Sequence, residues 1–288
     1  MAENENEAGL SHPFVVNKVP GKGLGLVVTK PIPKGTQIMV EAPFLWLPHR
    51  ADTSYLKVLY ESLYALSEAD RAQFYSFQNV YGDRDESNSV GIAKTNVLYE
   101  DYWNKPTDGG GMYLYISRIN HSCRENTQLS FKKDGKSLAA RANRDIKEGE
   151  EITIAYLPVQ ESRQKRREMM LARLRFWCCC DYCNLPEEEQ RRSNQVLWRV
   201  SKSLLAARCM ADDRPLEALH ALQQAENGLI SEKHETMALL LVYLSIFKLL
   251  ACHGDEVRAG IFALRALDLA KTLYGPGGLK RTFGDSAP

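Results

Sequence analysis

The chain carries no excess of charge of either sign. In 288 residues 37 Lys and Arg stand against 36 Asp and Glu, so no global field draws it toward nucleic acid or a membrane surface. Any charged partner site must be local. Long apolar runs are missing too: the run Ala238 to Leu244 extends toward Cys252 only through Ser245 and Lys248, too short and too mixed to cross a bilayer. Met1 to Glu7 contains Glu3, Glu5 and Glu7 and lacks the basic and apolar regions of a secretory signal. An intracellular location, cytoplasmic and/or nuclear, is expected. Cysteine is absent before Cys123 and then crowded, with four of the seven inside a window of six residues. That spacing suits a reducing compartment and thiolate ligation better than a disulfide framework.

Hydrophobic residues make up 44% and charged residues 25%, ordinary values for a soluble globular protein with about two domains. Cys178, Cys180 and Cys183 form C-x-C-x-x-C, three thiols close enough to hold one metal ion. A tetrahedral thiolate site needs a fourth ligand, for which Cys123 in Asn120-His121-Ser122-Cys123 is the candidate. Cys179 points elsewhere if its neighbours converge. Cys209 and Cys252, alone in apolar helical stretches, are expected in the core.

From Pro13 to about Pro48, short β-branched runs broken by Gly and Pro read as strands joined by tight turns: Phe14 to Val16, Leu24 to Thr29 and Gln37 to Glu41. Two segments echo each other, Ile32-Pro33-Lys34-Gly35-Thr36-Gln37-Ile38 and Ile146-Lys147-Glu148-Gly149-Glu150-Glu151-Ile152. Each predicts a Gly turn feeding a strand. Between them Ser54 to Asn79 has apolar residues at helical spacing, with Ser67 a candidate N-cap, and marks a helical insertion. Asp83 to Ser89 and Asn104 to Gly111 read as loops. After Cys183 the pattern is helical: Leu216, Leu219, Leu222 and Leu229 share one face, as do Ile261, Leu264 and Leu267, and Ala238 to Cys252 needs neighbours on all sides. Glu187-Glu188-Glu189 is expected to open this region.

Gly21-Lys22-Gly23-Leu24-Gly25 lets backbone approach a ligand closely, but it does not satisfy G-x-G-x-x-G, since Val28 ends the pattern, and its flanks argue against a Rossmann site. Arg163 to Arg175 is either a positive surface near a cleft or the solvated face of a helix.

Taken in order, Gly21-Lys22-Gly23-Leu24-Gly25, Asn120-His121-Ser122-Cys123, Gly149-Glu150-Glu151-Ile152 ending at Tyr156, and the F-x-C-x-C-x-x-C run starting at Phe176 resemble a SET-domain lysine methyltransferase with a post-SET zinc site. The helical insertion and tail look most like the SMYD-type branch, in a form without the MYND zinc finger. The resemblance implies an α+β fold, short twisted β-sheets of the SET type with a helical insertion, followed by an all-helical, tetratricopeptide-like domain. Its boundaries would be a SET domain over 12–158 (insertion about 50–95), a post-SET zinc segment over 159–186 and a helical domain over 187–288.

The same resemblance implies S-adenosylmethionine as cofactor, held by backbone at Lys22, Gly23 and Leu24, by Asn120 and His121 at its amino-acid and adenine ends, by Asn96, and by Phe176 against the adenine. Tyr156 would stand at the methyl-transfer pore and Tyr113 would wall the lysine channel. One structural zinc would be held by Cys123, Cys178, Cys180 and Cys183. The partner would be a lysine-containing segment of a protein substrate, with no membrane, no direct nucleic-acid binding and a monomeric chain. Relatives follow Asn-His-Ser-Cys with a residue, Pro and Asn; here Arg124-Glu125-Asn126 puts Glu125 where Pro is usual. Leu114 is a second departure from a usual Pro. The alternative is a catalytically silent SET-fold interaction module, against which the intact Asn120, His121 and Tyr156 argue. A zinc-binding nucleic-acid module lacks both a basic balance and a reading motif.

Overall fold

A computed structural model describes residues 12–82, 87–99 and 109–276. The acidic segment Met1 to Glu7 and the greater part of the two expected loops, Asp83 to Ser89 and Asn104 to Gly111, lie outside these residues. The described chain is an α+β assembly of three small sheets and a helical C-terminal region. None of its helices is long and apolar enough to cross a membrane.

The β-branched runs form the strands they predict. Strands β1 (Phe14–Val19) and β2 (Gly23–Val28) make an antiparallel hairpin. On the other side of β2 lies β10 (Glu151–Ile154), which also pairs in parallel with the two-residue β7 (Asn120–His121), giving the order β1-β2-β10-β7. A second sheet orders β3 (Gln37–Glu41), β9 (Leu138–Ala142) and β8 (Thr127–Phe131). The two echoing segments are paired with each other: Ile32 and Ile146 exchange backbone hydrogen bonds of 2.9 Å, and their turns at Gly35 and Gly149 deliver β3 and β10. Both isoleucines are buried, so the echo is one buried contact built from two sides.

The helical insertion holds α1 (Tyr55–Ala65), α2 (Glu68–Tyr75) and α3 (Asn88–Asn96), with Ser67 capping α2 by accepting the Asp70 N–H at 3.1 Å. It packs on a third sheet, in which β6 (Gly110–Met112) is central between β4 (Leu45–Leu47) and β5 (Leu98–Tyr99). The end of the expected Asn104–Gly111 loop is therefore a strand. Glycine suits it because the neighbouring strand comes too close for a side chain: a Cβ on Gly110 would lie 2.6 Å from the Tyr99 ring.

Four helices complete the chain: α5 (Glu187–Met210), α6 (Pro215–Ser231), α7 (Met237–Cys252) and α8 (Glu256–Tyr274), each packed on the next around one apolar core. Glu187 opens α5, where its charge favours a helix N-terminus. In α6 Leu219, Leu222 and Leu229 are buried, but Leu216 is exposed. Of the α8 face carrying Ile261, Leu264 and Leu267, Ile261 and Leu264 are exposed and Leu267 packs at the edge of the core, while Ala259, Phe262, Ala266, Leu269 and Leu273 face it. The core-facing side thus combines large residues (Phe262, Leu269, Leu273, Tyr274) with alanines and is the longer apolar stripe of the helix. Cys209 and Cys252 are exposed, not core residues, because each falls on the outer side of its helix.

The helical region meets the rest of the chain along α8, which packs on β8 and β9, and through the turn after α6. Glu232 in that turn accepts hydrogen bonds from Arg124 (2.9 Å), Tyr182 (2.8 Å) and Ser193 (2.8 Å). Next to it His234 is completely buried, edge-on to the Tyr182 ring at 5.5 Å. Burial, with the Arg124 charge adding to it, pushes the His234 imidazole down to about 4 from its usual 6.5. Between those values the unfolded chain binds the proton and the folded chain does not. Stability contributed by the neutral ring is thus present above about 6.5 and lost as pH falls toward about 4, to a total of about 3 kcal/mol. Urea midpoints at pH 7 and pH 4.5 should fall further for the native chain than for a His234→Phe variant.

Candidate functional site

Strand β10 lies between two segments that carry polar groups to one end of the sheet. From β7, Asn120 directs its amide Nδ2 at the Leu24 carbonyl (3.0 Å) and at Glu151 Oε1 (2.9 Å). From the β1–β2 turn, Lys22 Nζ reaches Glu151 Oε2 at 2.6 Å. Gly25 is where these groups pack against backbone: a Cβ there would lie 2.7 Å from Asn120 Nδ2 and 2.8 Å from Glu151 Oε1. Beside them is a cavity of about 390 Å³ lined by Lys18, Val19, Pro20, Gly23, Leu24 and Gln78. Asn96, at the end of α3, is buried and donates from its amide to the Gln78 carbonyl (2.8 Å), so it braces that wall from inside.

Three rings gather on the opposite side of β7. Tyr156 just follows β10 and lies 5.4 Å from His121 and 6.3 Å, edge-on, from Phe176. The Tyr156 hydroxyl donates to the Ile119 carbonyl at 2.6 Å and its backbone N–H donates to His121 Nδ1 at 3.1 Å. Burial raises the Tyr156 hydroxyl well above the usual phenol range, so it is a neutral phenol with its proton committed and its oxygen lone pairs left as acceptors. His121 is buried and pushed down to about 4, chiefly by burial. It is neutral near pH 7. Nδ1 accepts, so the proton sits on Nε2, 3.2 Å from Cys123 Sγ. Both ring nitrogens are engaged within the protein, which leaves His121 its ring face and backbone for a ligand.

Tyr113 is completely buried and donates its hydroxyl to the Lys136 carbonyl at 2.5 Å. Burial raises it as well, with Glu41 adding to the effect. Tyr115, two residues on, is the half-buried ring of this segment. Glu41, on β3, accepts the backbone N–H groups of Tyr115 (3.0 Å) and Ile116 (2.9 Å) and fixes the short 3-10 turn Ile116–Arg118 that leads into Asn120. Nothing in its local sequence marks Glu41 as special, since its partners lie about 75 residues away.

The four expected cysteines converge. Cys123, Cys178, Cys180 and Cys183 are all buried, with ligand atoms within 4.8 Å of one another. Cys123 Sγ lies 3.9 Å from Cys178 Sγ and 3.6 Å from Cys183 Sγ. Tetrahedral zinc with Zn–S near 2.3 Å sets sulfurs about 3.8 Å apart, so the group can hold such an ion. Hydrogen bonds from the Cys123 thiol lower Cys180 and bring Cys183 down to about 7, while contacts within the same cluster raise Cys123 and Cys178, so in the absence of a cation the four sulfurs share protons among themselves. Cys179 is exposed and donates to the Trp177 carbonyl.

Helix α4 (Arg163–Leu174) corrects the reading of the basic run as a wholly solvated face. Arg166 is fully buried, with Nη2 3.5 Å from Cys183 Sγ and its guanidinium 4.4 Å above the Tyr182 ring. Arg124 covers the same ring at 4.0 Å. Arg167 donates to the carbonyls of Cys178 (2.9 Å) and Cys183 (3.1 Å). These cations surround the sulfur cluster. The available signal was Arg166 four residues before the buried Met170, on the apolar face of the helix.

Residues 23–157 match the SET domain family. That stretch forms a SET domain. Along 255 residues, 87% of its length, it is 29% identical to the fission yeast (Schizosaccharomyces pombe) protein named histone-lysine N-methyltransferase set5, of which the alignment covers 75%. Over 150 residues it is 31% identical to human histone-lysine N-methyltransferase SMYD3, covering 51% of this chain and 33% of that one. Over 85 residues it is 35% identical to human protein-lysine N-trimethyltransferase SMYD5, of which it covers 20%. The SET-domain chain thus spans three quarters of the yeast relative and a third or less of the two human ones.

The stretch Arg124-Glu125-Asn126, where this SET domain departs from the usual pattern, resolves into three separate roles. Asn126 is buried; its Oδ1 accepts the Thr153 N–H (2.8 Å) and its Nδ2 donates to the Glu151 carbonyl (2.8 Å), tying the loop to β10. Arg124 makes the bond to Glu232. Glu125 lies with Oε2 buried and without a hydrogen-bond partner among the described residues, and burial pushes its carboxyl up to about 7. Replacing Asn126 with Ala leaves the Thr153 N–H and the Glu151 carbonyl without these partners and should lower stability by roughly 3 kcal/mol, read from urea midpoints. Asn126→Asp, which keeps the accepting oxygen but sets a buried carboxylate oxygen against the Glu151 carbonyl, should cost at least as much at pH 7.

Proposed function

We propose that the chain is an S-adenosylmethionine-dependent protein-lysine N-methyltransferase whose structural zinc is held by Cys123, Cys178, Cys180 and Cys183. The observation that carries this reading is the juxtaposition of the Asn120–Lys22–Gly25 corner with the His121, Tyr156 and Phe176 rings on the two sides of one short strand pair. Lys22, Gly23, Leu24, Asn96 and Asn120 belong to the cofactor side, and Phe176 supplies a flat face for the adenine. When bound, the cofactor supplies an electrophilic methyl group on a sulfonium.

A lysine amine with its usual pKa near 10.4 is protonated at neutral pH and must lose that proton before it can attack. An enclosure of rings disfavours the ammonium form. Tyr156 fits the pore because its proton is already given to Ile119, so the oxygen faces the reacting groups as an acceptor and orients both amine and methyl. Tyr113 backs the substrate channel from the core. The named activities of the yeast and human relatives support lysine as the acceptor.

Zinc suits the site because four thiolates this close repel one another unless a cation stands among them. The residual negative charge of a zinc tetrathiolate is then matched by Arg166. The metal bonds join the segment carrying Asn120 and His121 to the segment carrying Phe176, so zinc acts on the shape of the cofactor cleft and not on the methyl group.

Incubation of the purified chain with methyl-labelled cofactor and a protein extract should label lysines. Tyr156→Phe, which removes one polar contact worth about 1.5 kcal/mol, should slow labelling roughly tenfold. Absence of labelling by the native chain despite measurable cofactor binding would overturn the enzyme assignment in favour of a silent interaction module. Elemental analysis should find about one zinc per chain, lost in Cys180→Ser together with stability. A folded, active, zinc-free chain would refute the metal assignment.

A further inference from the structure

The second sheet has two unlike faces. Leu129, Phe131, Leu138, Ala140 and Ala142 pack on the core, so strand alternation sends Ser130, Lys132, Ala139 and Arg141 to the opposite side, with Gln37 of β3 paired beside Arg141. That polar face is not left to solvent. The end of α8 lies over it, and between them is a cavity of about 160 Å³ floored by those sheet residues and closed by Tyr274 and Pro276. None of its lining residues belongs to the glycine turn, the ring cluster or the sulfur cluster.

Lys132 is half-buried, and its backbone N–H donates to the Ser137 carbonyl at 2.8 Å, while its ammonium has no carboxylate partner among the described residues. Arg141 donates to the Gly35 carbonyl (2.5 Å) and to Gln37 Oε1 (3.3 Å), and it passes so close under the end of α8 that a Cβ on Gly275 would lie 2.6 Å from its Nη2. Gly275 makes room for the cation. Gln37 accepts through its oxygen and keeps its NH2 group as a donor, and Ser130 adds a hydroxyl. No lining residue is acidic. The C-terminal end of α8 opposes an anion with about half an elementary negative charge, but two full cations outweigh it. Two cations enclosed together also repel each other unless an anion joins them. The donors suit an oxyanion, and the volume, below the roughly 300 Å³ at which pockets for drug-sized ligands begin, suits one small group.

We propose that this cavity binds one compact oxyanion group, a phosphate or a carboxylate, held by Lys132, Arg141, Gln37 and Ser130 between the second sheet and the end of α8. The group can arrive as a free ion or on the side chain of a protein segment, with the same contacts. In either case it ties the sheet to the helical region at a place separate from Glu232. The site shares no residue with the methyl-transfer machinery and stands or falls without it.

Calorimetric titration of the full chain with sodium phosphate and with sodium acetate at pH 7, ionic strength being held with sodium chloride, tests the site. Phosphate should bind saturably with Kd on the order of 1 mM and raise the thermal unfolding midpoint above its value in chloride. Lys132→Met should weaken that binding about tenfold or more, the loss of one charge-assisted contact, while Lys133→Met, at the exposed neighbouring position, should leave it unchanged. A short phosphoserine peptide separates the two sources. Binding tighter than that of inorganic phosphate assigns the site to a group carried on a protein, and equal or weaker binding assigns it to the free ion; both bear the cavity out. If native protein gives no saturable response to either salt up to roughly 30 mM, the cavity merely holds solvent and the proposal falls, a result that needs no variant to fold. It falls equally if Lys132→Met binds phosphate as well as the native chain does.

Discussion

Strand β10, four residues long, is the constraint on which the rest of the site hangs. It has no free edge. On one side Glu151 and Ile152 pair with Val27 and Leu26; on the other Thr153 and Ile154 pair with Asn120 and His121, and Asn126 adds its own bonds to Thr153 and Glu151. A strand so short is stable only because both neighbours satisfy its backbone and Ile152 and Ile154 are buried. The cost of misplacing it is correspondingly high. One step of register would turn Glu151 away from Lys22, move the isoleucines out of the core and carry Tyr156 off the Ile119 carbonyl.

A second dependency runs from the sulfur cluster to the helical region. Tyr182, between the last two of the four cysteines, lies between the guanidinium groups of Arg124 and Arg166 and gives its hydroxyl to Glu232. The ring thus touches the loop after Cys123, the basic helix and the turn after α6. Buried cations of this kind are stable only when matched by anions, here Glu232 on one side and the cysteine sulfurs on the other. The helical region is therefore bonded to the residues around the sulfur cluster. Arg124, next to the departing Glu125, and Tyr182 both make that bond.

Much of the architecture was legible because it is local. β-Branched runs between turn residues specify β1, β2 and β3, Ser67 specifies the start of α2, and Glu187 the start of α5. The convergence of the four sulfurs was legible because thiols are scarce and three of them sit within six residues. The errors have one cause. Gly110 and Gly111 look like a loop, but they form a central strand because a neighbour needs the room. Ile261 and Leu264 of α8 are exposed because the other face, with Phe262, Ala266, Leu269 and Leu273, is the one packed into the helical core. In each case a partner distant in sequence decided what local preference could not.

The sequence by itself determined which chemical groups this protein has: four thiols able to hold a metal, the Asn120-His121 pair, a tyrosine after a short strand, a glycine-rich turn. It also set their order, since order and spacing are covalent facts. Only the tertiary structure decided what those groups do to one another. Burial makes His121 neutral and raises the Tyr156 phenol. Glu41, Arg166, Glu232 and Glu151 become part of the site or its support through partners far along the chain. The physical reason is that electrostatic and hydrogen-bond energies depend on distance and on exclusion from water, and neither exists until the chain has folded.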